Sequence, residues 1–138
     1  MSVRGAAIAD AAMRLCGTPF RLHGRSPETG VDCVGLVALA LRAAGHPVPD
    51  IPPYALRLAA TGFIADFAAC CGLREAAGAV QPGDILIARP ATTRRHLLVA
   101  TARDRFVHAH AGLRRVVACP GPPPWPVIAR WRLPEETD

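Results

Sequence analysis

The stretch "GVDCVGLVALALRAAG" at residues 30–45 places a cysteine between an aspartate and a long apolar run. Aspartate is a favoured N-cap and glycine a favoured residue just past a helix, so Asp32 and Gly45 predict the two ends of a helix. The segment is apolar on nearly all sides, which is typical of a buried central helix. Cys33 would lie in its first turn, where unpaired N–H groups and the helix dipole favour a thiolate. We therefore expect the pKa of Cys33 to fall well below about 8.5, the value of a free thiol.

The segments on either side predict an α+β fold. Residues 3–15 and 55–71 carry apolar side chains at helical spacing, and "VQPGD" predicts a turn that opens a β region. Short strands follow near 84–89, 95–101, 105–110, 114–118 and 126–132. Helices followed by a run of strands indicate N-terminal helices packed on one side of a C-terminal antiparallel meander sheet. We see no internal repeat and no domain boundary in the sequence, and we predict a single domain over residues 1–138.

Composition excludes several chemistries. The net charge is +5, all 16 basic side chains are Arg, and the chain has neither Lys nor Asn. A lysine Schiff base, a Ser–Lys dyad and a Cys–His–Asn triad are therefore impossible. The basic residues are scattered among few aromatics, and no apolar run reaches eighteen residues. We therefore expect no nucleic-acid partner and no membrane span.

The cysteines predict reduced thiols. They are five in number, an odd count, with no CxxC pair, which disfavours a disulfide framework and a zinc ribbon. The N-terminus reads as an amphipathic helix rather than a secretory signal. These features favour a protein synthesised in the cytoplasm without a signal peptide.

Two histidines are candidate partners for Cys33. His96 opens one predicted strand and His108 closes the next, and a three-residue hairpin loop would place them directly opposite each other. One imidazole could then accept the thiol proton while the other fixes its tautomer. His110 shares a strand face with His108 and leaves a metal site as an alternative, although it lies too far along the strand to converge easily. The simpler alternative for Cys33 is a buried side chain that packs the start of the helix.

The motifs together resemble the NlpC/P60 cysteine peptidases. "GTPFRLHGRSPETGVDCVGLV" resembles the family's loop and nucleophile helix, "QPGDILI" its strand entry, and "HLLVATARDRFVHAH" its pair of histidines twelve residues apart. The "FVHAH" ending and the closing "RWRLP" are most similar to the branch in phage tails and gene-transfer-agent-like particles. The resemblance covers about residues 5–133. It implies a papain-like α+β domain that hydrolyses amide bonds in peptidoglycan stem peptides, with Cys33 as nucleophile, His96 as base and His108 as the residue that orients it.

The resemblance also implies a substrate subsite. Asp32 would contact a peptide amine and Arg25 a stem-peptide carboxylate. Val34 and Phe20 occupy positions where the family often has Ser and Tyr, and Leu98 replaces a usual Gly. With Phe20 in place of Tyr, the oxyanion hole would rest mainly on the Cys33 backbone N–H.

The resemblance implies partners and leaves other functions open. It implies a peptidoglycan peptide substrate, phage-tail or particle proteins as partners, no cofactor and no metal, and action at the cell wall after delivery by a particle. One alternative keeps the fold but performs acyl transfer or thioester hydrolysis beside an apolar groove. Another is a catalytically weak or inactive tail or wall-binding module.

Overall fold

A computed structural model describes residues 2–50, 61–92 and 94–134 of the chain. The helices in this part are α1 (Val3–Arg14), α2 (Cys33–Ala43) and α3 (Thr61–Cys70). Three short strands are β1 (Arg25–Ser26), β2 (Gly30–Val31) and β3 (Arg74–Glu75). The longer strands are β4 (Ile85–Ala91), β5 (Arg94–Ala102), β6 (Arg105–His110), β7 (Arg115–Pro120) and β8 (Val127–Arg132). The predicted helix over 55–71 falls partly outside the described residues. None of the described helices is long and apolar enough to cross a bilayer.

Helix α2 forms where its end signals predict. The Asp32 side chain accepts a hydrogen bond from the Gly35 N–H at 2.9 Å, and Gly45 has a φ of +81° just after the C-cap. The helix is buried on nearly every side, as its composition predicts. It packs against α1 and against strands β5 and β6. The helix that carries Cys33 is therefore fixed between the first helix and the sheet.

The main sheet has six strands in the order β3-β8-β4-β5-β6-β7. Strands β4 to β7 form the predicted antiparallel meander, and the α+β fold class is confirmed. The last strand differs from a simple meander, because β8 crosses back and pairs with β4 rather than with β7. The Pro-rich segment 120–126 makes this crossing, since proline cannot continue the hydrogen-bonded ladder beyond β7.

The two faces of the sheet have different coverings. On one face, buried side chains of the strands join the helices in one apolar core that includes Leu36, Val99 and Val107. On the other face, a smaller cluster of Leu86, Ala88, Leu98 and Phe106 packs against Cys119 and Trp125. Side chains alternate between faces along a strand, so His96, Leu98, Phe106 and His108 share the second face. The candidate imidazoles therefore project away from the helical core.

A buried ion pair secures the strand entry at "QPGD". Asp84 is fully buried and accepts hydrogen bonds from Arg132 Nε at 2.6 Å and Nη2 at 2.9 Å. Oδ2 also accepts from the Gln81 N–H at 3.0 Å and lies 3.8 Å from Arg130 Nε. This pairing ties the start of β4 to the end of β8, its neighbour in the sheet.

Candidate active site

The segment between α1 and α2 positions Cys33 beside the sheet. The Phe20 N–H donates to the Arg114 carbonyl at 2.9 Å, and the Val116 N–H donates to the Thr18 carbonyl at 2.9 Å. The same segment accepts a hydrogen bond at the Pro19 carbonyl from the Val31 N–H, also at 2.9 Å. The segment thus connects the β7 edge of the sheet to the residue that precedes the N-cap of α2.

The Asp32 carboxylate binds groups of its own chain. Oδ1 accepts from Arg25 Nη1 at 3.1 Å and from the helix N–H of Gly35, while Oδ2 accepts from the His23 N–H at 2.8 Å. Asp32 is fully buried. Gly35 has no space for a side chain, because a Cβ there would collide with the Gly24 carbonyl. Glycine at position 35 allows the loop that contains Gly24 to pack against the start of α2, and leaves no space there for a ligand.

The register of the β5–β6 hairpin differs from the prediction. Val99 pairs with Val107 and Ala100 with Phe106, and the register shifts at Ala102. His96 and His108 are therefore not directly opposite each other, as predicted, but two positions apart. A shift of two residues keeps both side chains on the same face of the sheet. The imidazoles meet along a diagonal instead.

The two imidazoles are hydrogen bonded. His96 Nε2 lies 2.8 Å from His108 Nδ1, with the ring planes at 78° to each other. The indole of Trp125 makes edge contacts with both rings, at centroid distances of 5.6 Å and 5.7 Å. Since Nε2 of His96 is engaged by His108, Nδ1 is the ring nitrogen of His96 that remains for proton transfer.

Cys33 and the imidazoles line one cavity of about 270 Å³. Cys33 is buried, with 6% of its surface exposed, and lies at the cavity wall. The lining also includes two aromatic side chains, a guanidinium and a third imidazole, which belong to Phe20, Trp125, Arg94 and His110. The cavity thus joins a thiol, a hydrogen-bonded imidazole pair and a positive charge.

Burial, rather than the helix dipole, determines the ionisation of Cys33. Desolvation and, to a smaller extent, the nearby Asp32 charge raise the pKa of Cys33, N–H groups of Leu97, Val34 and Cys33 lower it, and the net result is a pKa of about 11. The expectation of a pKa well below 8.5 is therefore wrong, because loss of water outweighs stabilisation by the helix N-terminus. Among the described residues, the hydrogen bonds that favour the thiolate come from backbone N–H groups and none from an imidazole.

The imidazoles are also neutral at rest. Burial, together with the charges of His108, Arg94 and His110, lowers the pKa of His96 to about 3. Burial and the charge of His110 lower the pKa of His108 to about 4. A neutral thiol therefore shares the cavity with a neutral imidazole pair at neutral pH. The arrangement supports proton transfer during attack rather than a preformed thiolate–imidazolium pair.

A family comparison agrees with this geometry. Residues 17–121 match the model of the NlpC/P60 family, which is more than half of the chain. The chain belongs to the NlpC/P60 family. Members of this family are generally cell-wall peptidases of the cysteine class. No curated protein matches the chain.

Solved NlpC/P60 structures share the fold at low sequence identity. NlpC2 from Trichomonas vaginalis superposes with a TM-score of 0.69 at 20% identity, covering 94% of this chain and 46% of that one. The peptidoglycan hydrolase RipB from Mycobacterium tuberculosis gives 0.68 at 18% identity, covering 96% and 66%. The NlpC/p60 domain of the peptidoglycan hydrolase SagA gives 0.55 at 23% identity, covering 84% and 88%. The chain thus spans less than half of the Trichomonas protein and about two thirds of RipB.

The NlpC/P60 site contains some, but not all, of the residues predicted from the sequence. Cys33, His96, His108 and Phe20 line the cavity. Asp32, Arg25 and Val34 are outside that lining, and the polar groups of Asp32 and Arg25 bind each other. The predicted role of these three residues in substrate binding stays a prediction.

Sequence reasoning missed three residues that contact the imidazoles or line the cavity. Trp125 packs on both rings, Cys119 lies 3.6 Å from His108 Nε2, and Arg94 lines the cavity. Trp125 lies between the last two predicted strands, near 114–118 and 126–132. Its isolation in a Pro-rich segment was the one available signal, because an aromatic side chain there must pack on a neighbouring surface or stay exposed.

The neutral imidazoles predict an acid-sensitive fold. The pKa of His96 is about 3 in the folded chain and about 6.5 when unfolded, so the unfolded state binds more protons between these values. Stability is complete above about pH 6.5 and falls as the pH drops toward 3. We expect the midpoint of thermal unfolding to fall from pH 7 to pH 4, and to fall less in the His96→Gln variant. Equal pH dependence in the two proteins would contradict the neutral burial of His96.

Proposed function

We propose that the chain is a cysteine peptidase that hydrolyses amide bonds in peptidoglycan stem peptides through Cys33, His96 and His108. The 2.8 Å contact between His96 Nε2 and His108 Nδ1, in the cavity that Cys33 also lines, carries the proposal. A thiol beside a base that a third group orients is the arrangement that nucleophilic catalysis requires. Membership of a family of cell-wall peptidases supplies the substrate class.

In acylation, Cys33 Sγ attacks the amide carbonyl carbon while its proton passes to His96 Nδ1. The C–N bond then breaks, and the leaving amine takes that proton from His96. During the transfer His96 carries a positive charge, which its Nε2–H shares with His108 Nδ1. A neutral resting pair suits this sequence, since no charge has to be desolvated before substrate arrives.

The start of helix α2 supplies donors for the oxyanion. N–H groups of Cys33 and Val34 hydrogen-bond to the sulfur position, so they point toward the atoms that react. Such donors stabilise the negative oxygen of a tetrahedral intermediate more than the ground-state carbonyl. Water then attacks the thioester with His96 as base, and the products are a carboxylic acid and the regenerated thiol.

The charge of the cavity is suited to an acidic peptide. Arg94 lines the cavity, and its positive charge lowers the pKa of the adjacent His96. A guanidinium binds carboxylates in a bidentate geometry, and stem peptides carry free carboxylates. In this proposal Arg94 holds a carboxylate of the substrate near the imidazoles.

We extend the proposal to the place of action. The "FVHAH" and "RWRLP" segments resemble the branch found in phage tails and gene-transfer-agent-like particles. On that basis the protein acts at the cell wall and is delivered by a particle whose tail proteins are its partners. Co-purification with particles would support this extension, which is separate from the chemistry of the site.

Digestion of defined muropeptides tests the activity. We expect the protein to convert a stem peptide into two fragments whose masses sum to that of the substrate plus one water. Mass spectrometry identifies the fragments and hence the bond that is cleaved. An acyl thioester incubated in parallel tests the alternative acyl-transfer chemistry. Hydrolysis of the thioester with every stem peptide left intact would overturn the proposal.

A further inference from the structure

Cys119 contacts the imidazole pair at the ring nitrogen of His108 that His96 does not engage. It belongs to β7, where its register partner is Phe106, and it packs with Trp125 on the second face of the sheet. Its Sγ is 3.6 Å from His108 Nε2, within the range of a sulfur hydrogen bond. A chain of contacts therefore runs from the cavity through His96 and His108 to Cys119.

The direction of each hydrogen bond in this chain follows from the tautomers. Neutral imidazole has one N–H and one bare nitrogen. If His96 Nε2–H donates to His108 Nδ1, then Nδ1 of His96 is bare and can accept a proton. His108 must then carry its own proton on Nε2, where it faces Cys119. If instead His108 Nδ1 donates, His96 carries its proton on Nδ1 and cannot act as a base.

We propose that Cys119 is a positioning residue whose sulfur accepts a hydrogen bond from His108 Nε2–H and so holds both imidazoles in the tautomer that leaves His96 Nδ1 bare. This inference rests on the proposed function, because it concerns the base of that reaction. The contact between Cys119 Sγ and His108 Nε2 can select between the two neutral tautomers of His108, because these tautomers otherwise differ little in energy.

The surroundings of Cys119 keep it in the role of a neutral acceptor. Burial raises the pKa of its thiol, so the sulfur carries no charge at neutral pH. Trp125 packs beside it on the same face of the sheet. The rings of His96 and His110 lie beside His108 at centroid distances of 5.1 Å and 5.3 Å. His96 engages Nδ1 of His108, whereas Cys119 Sγ lies 3.6 Å from Nε2. The thiol is therefore the acceptor that faces Nε2 of His108.

The first test reads the tautomers without substrate. In protein labelled with ¹⁵N-histidine at pH 7, we expect His96 and His108 to be Nε2–H tautomers. In Cys119→Ala, the Nδ1–H form of His108 should become detectably populated, and Cys119→Ser should restore the original signature, since a hydroxyl also accepts. Unchanged tautomers in Cys119→Ala would overturn the inference. This measurement stands whether or not the protein cleaves peptidoglycan.

The second test measures cleavage of a stem peptide. A neutral hydrogen bond contributes modestly, so we expect kcat of Cys119→Ala to fall about three- to tenfold with KM unchanged, and Cys119→Ser to recover most of it. A purely structural role would instead lower the thermal midpoint of both variants. A rise in kcat for Cys119→Ala would show that the thiol donates and holds the inactive tautomer, which overturns the inference.

Discussion

Cleavage of stem peptides should fall by at least about 10⁴-fold in the Cys33→Ala variant, with the fold intact. The substitution removes only Sγ, so no thioester can form and the remaining groups can do no more than bind and polarise the substrate. Its effect on packing is small, because Cys33 already borders a cavity. The rate is measured from fragment masses over time, and the fold from the midpoint of thermal unfolding.

Cys70→Ala provides the matched control. Cys70 is exposed at the end of α3 and is outside the cavity, so its loss should leave the rate unchanged. Undiminished cleavage by Cys33→Ala would refute the role of Cys33 and favour a wall-binding module. Slow alkylation of Cys33 at pH 6 would not favour that module, since a thiol with a pKa of about 11 is almost fully protonated in an active enzyme as well.

The helix that carries the nucleophile was predictable because its signals are local. An N-cap aspartate, a glycine after the last turn and an apolar surface act within a few residues of each other, and α2 has all three. The alternation of side chains in the strands is also a local signal, and β4 to β7 form where it predicts. The pairing of β8 with β4 could not be predicted, because strand order depends on which edge of the sheet the chain reaches after the Pro-rich segment 120–126.

The hairpin shows how a prediction can fail in detail and still place a site. The sequence predicts that His96 faces His108 directly, but the turn between β5 and β6 has two residues rather than three, and the register shifts by one residue between Ala100 and Ala102. The two differences together displace the pairing of the histidines by two residues. Because side chains alternate with a period of two, the histidines stay on one face and their rings still meet. A net displacement of one or three residues would have placed them on opposite faces of the sheet, and the local sequence does not distinguish these cases.

The electrostatics of the site could not be predicted from position in the helix. The N-terminus of α2 does direct N–H groups at Cys33, as expected. How much water is lost depends on residues remote in sequence, such as Leu97 and Trp125, which only the assembled fold brings to the site. The same applies to Asp32, whose carboxylate is engaged by Arg25 from the preceding loop.

A neutral thiol and a neutral imidazole make the base indispensable. At neutral pH only about one Cys33 in 10⁴ is ionised if its pKa is about 11, so attack depends on removal of the proton as the C–S bond forms. His96 performs this step in the proposed mechanism, and its Nδ1 stays bare down to a pKa of about 3. The wild-type value of kcat/KM should therefore be nearly constant from pH 6 to pH 9.

Replacing His96 with glutamine should lower kcat/KM at pH 7 by about 10³-fold and change the shape of the pH profile. Glutamine retains a polar contact with His108 but cannot accept the thiol proton. The variant then depends on the ionised fraction of Cys33, so its residual rate should rise about tenfold per pH unit toward pH 9. The measurement is kcat/KM against pH for both proteins with the same muropeptide.

His46→Gln is the control for this substitution. His46 lies just beyond the C-terminal end of α2, whereas Cys33 opens the helix, so an eleven-residue helix of about 16 Å separates them. Its profile should match that of the wild type. A His96→Gln profile that keeps the wild-type shape at a lower level would mean that the imidazole only shapes the cavity and that another group removes the proton. A rising profile, by contrast, identifies His96 as the base, because only the loss of the proton acceptor makes the rate follow ionisation of the thiol.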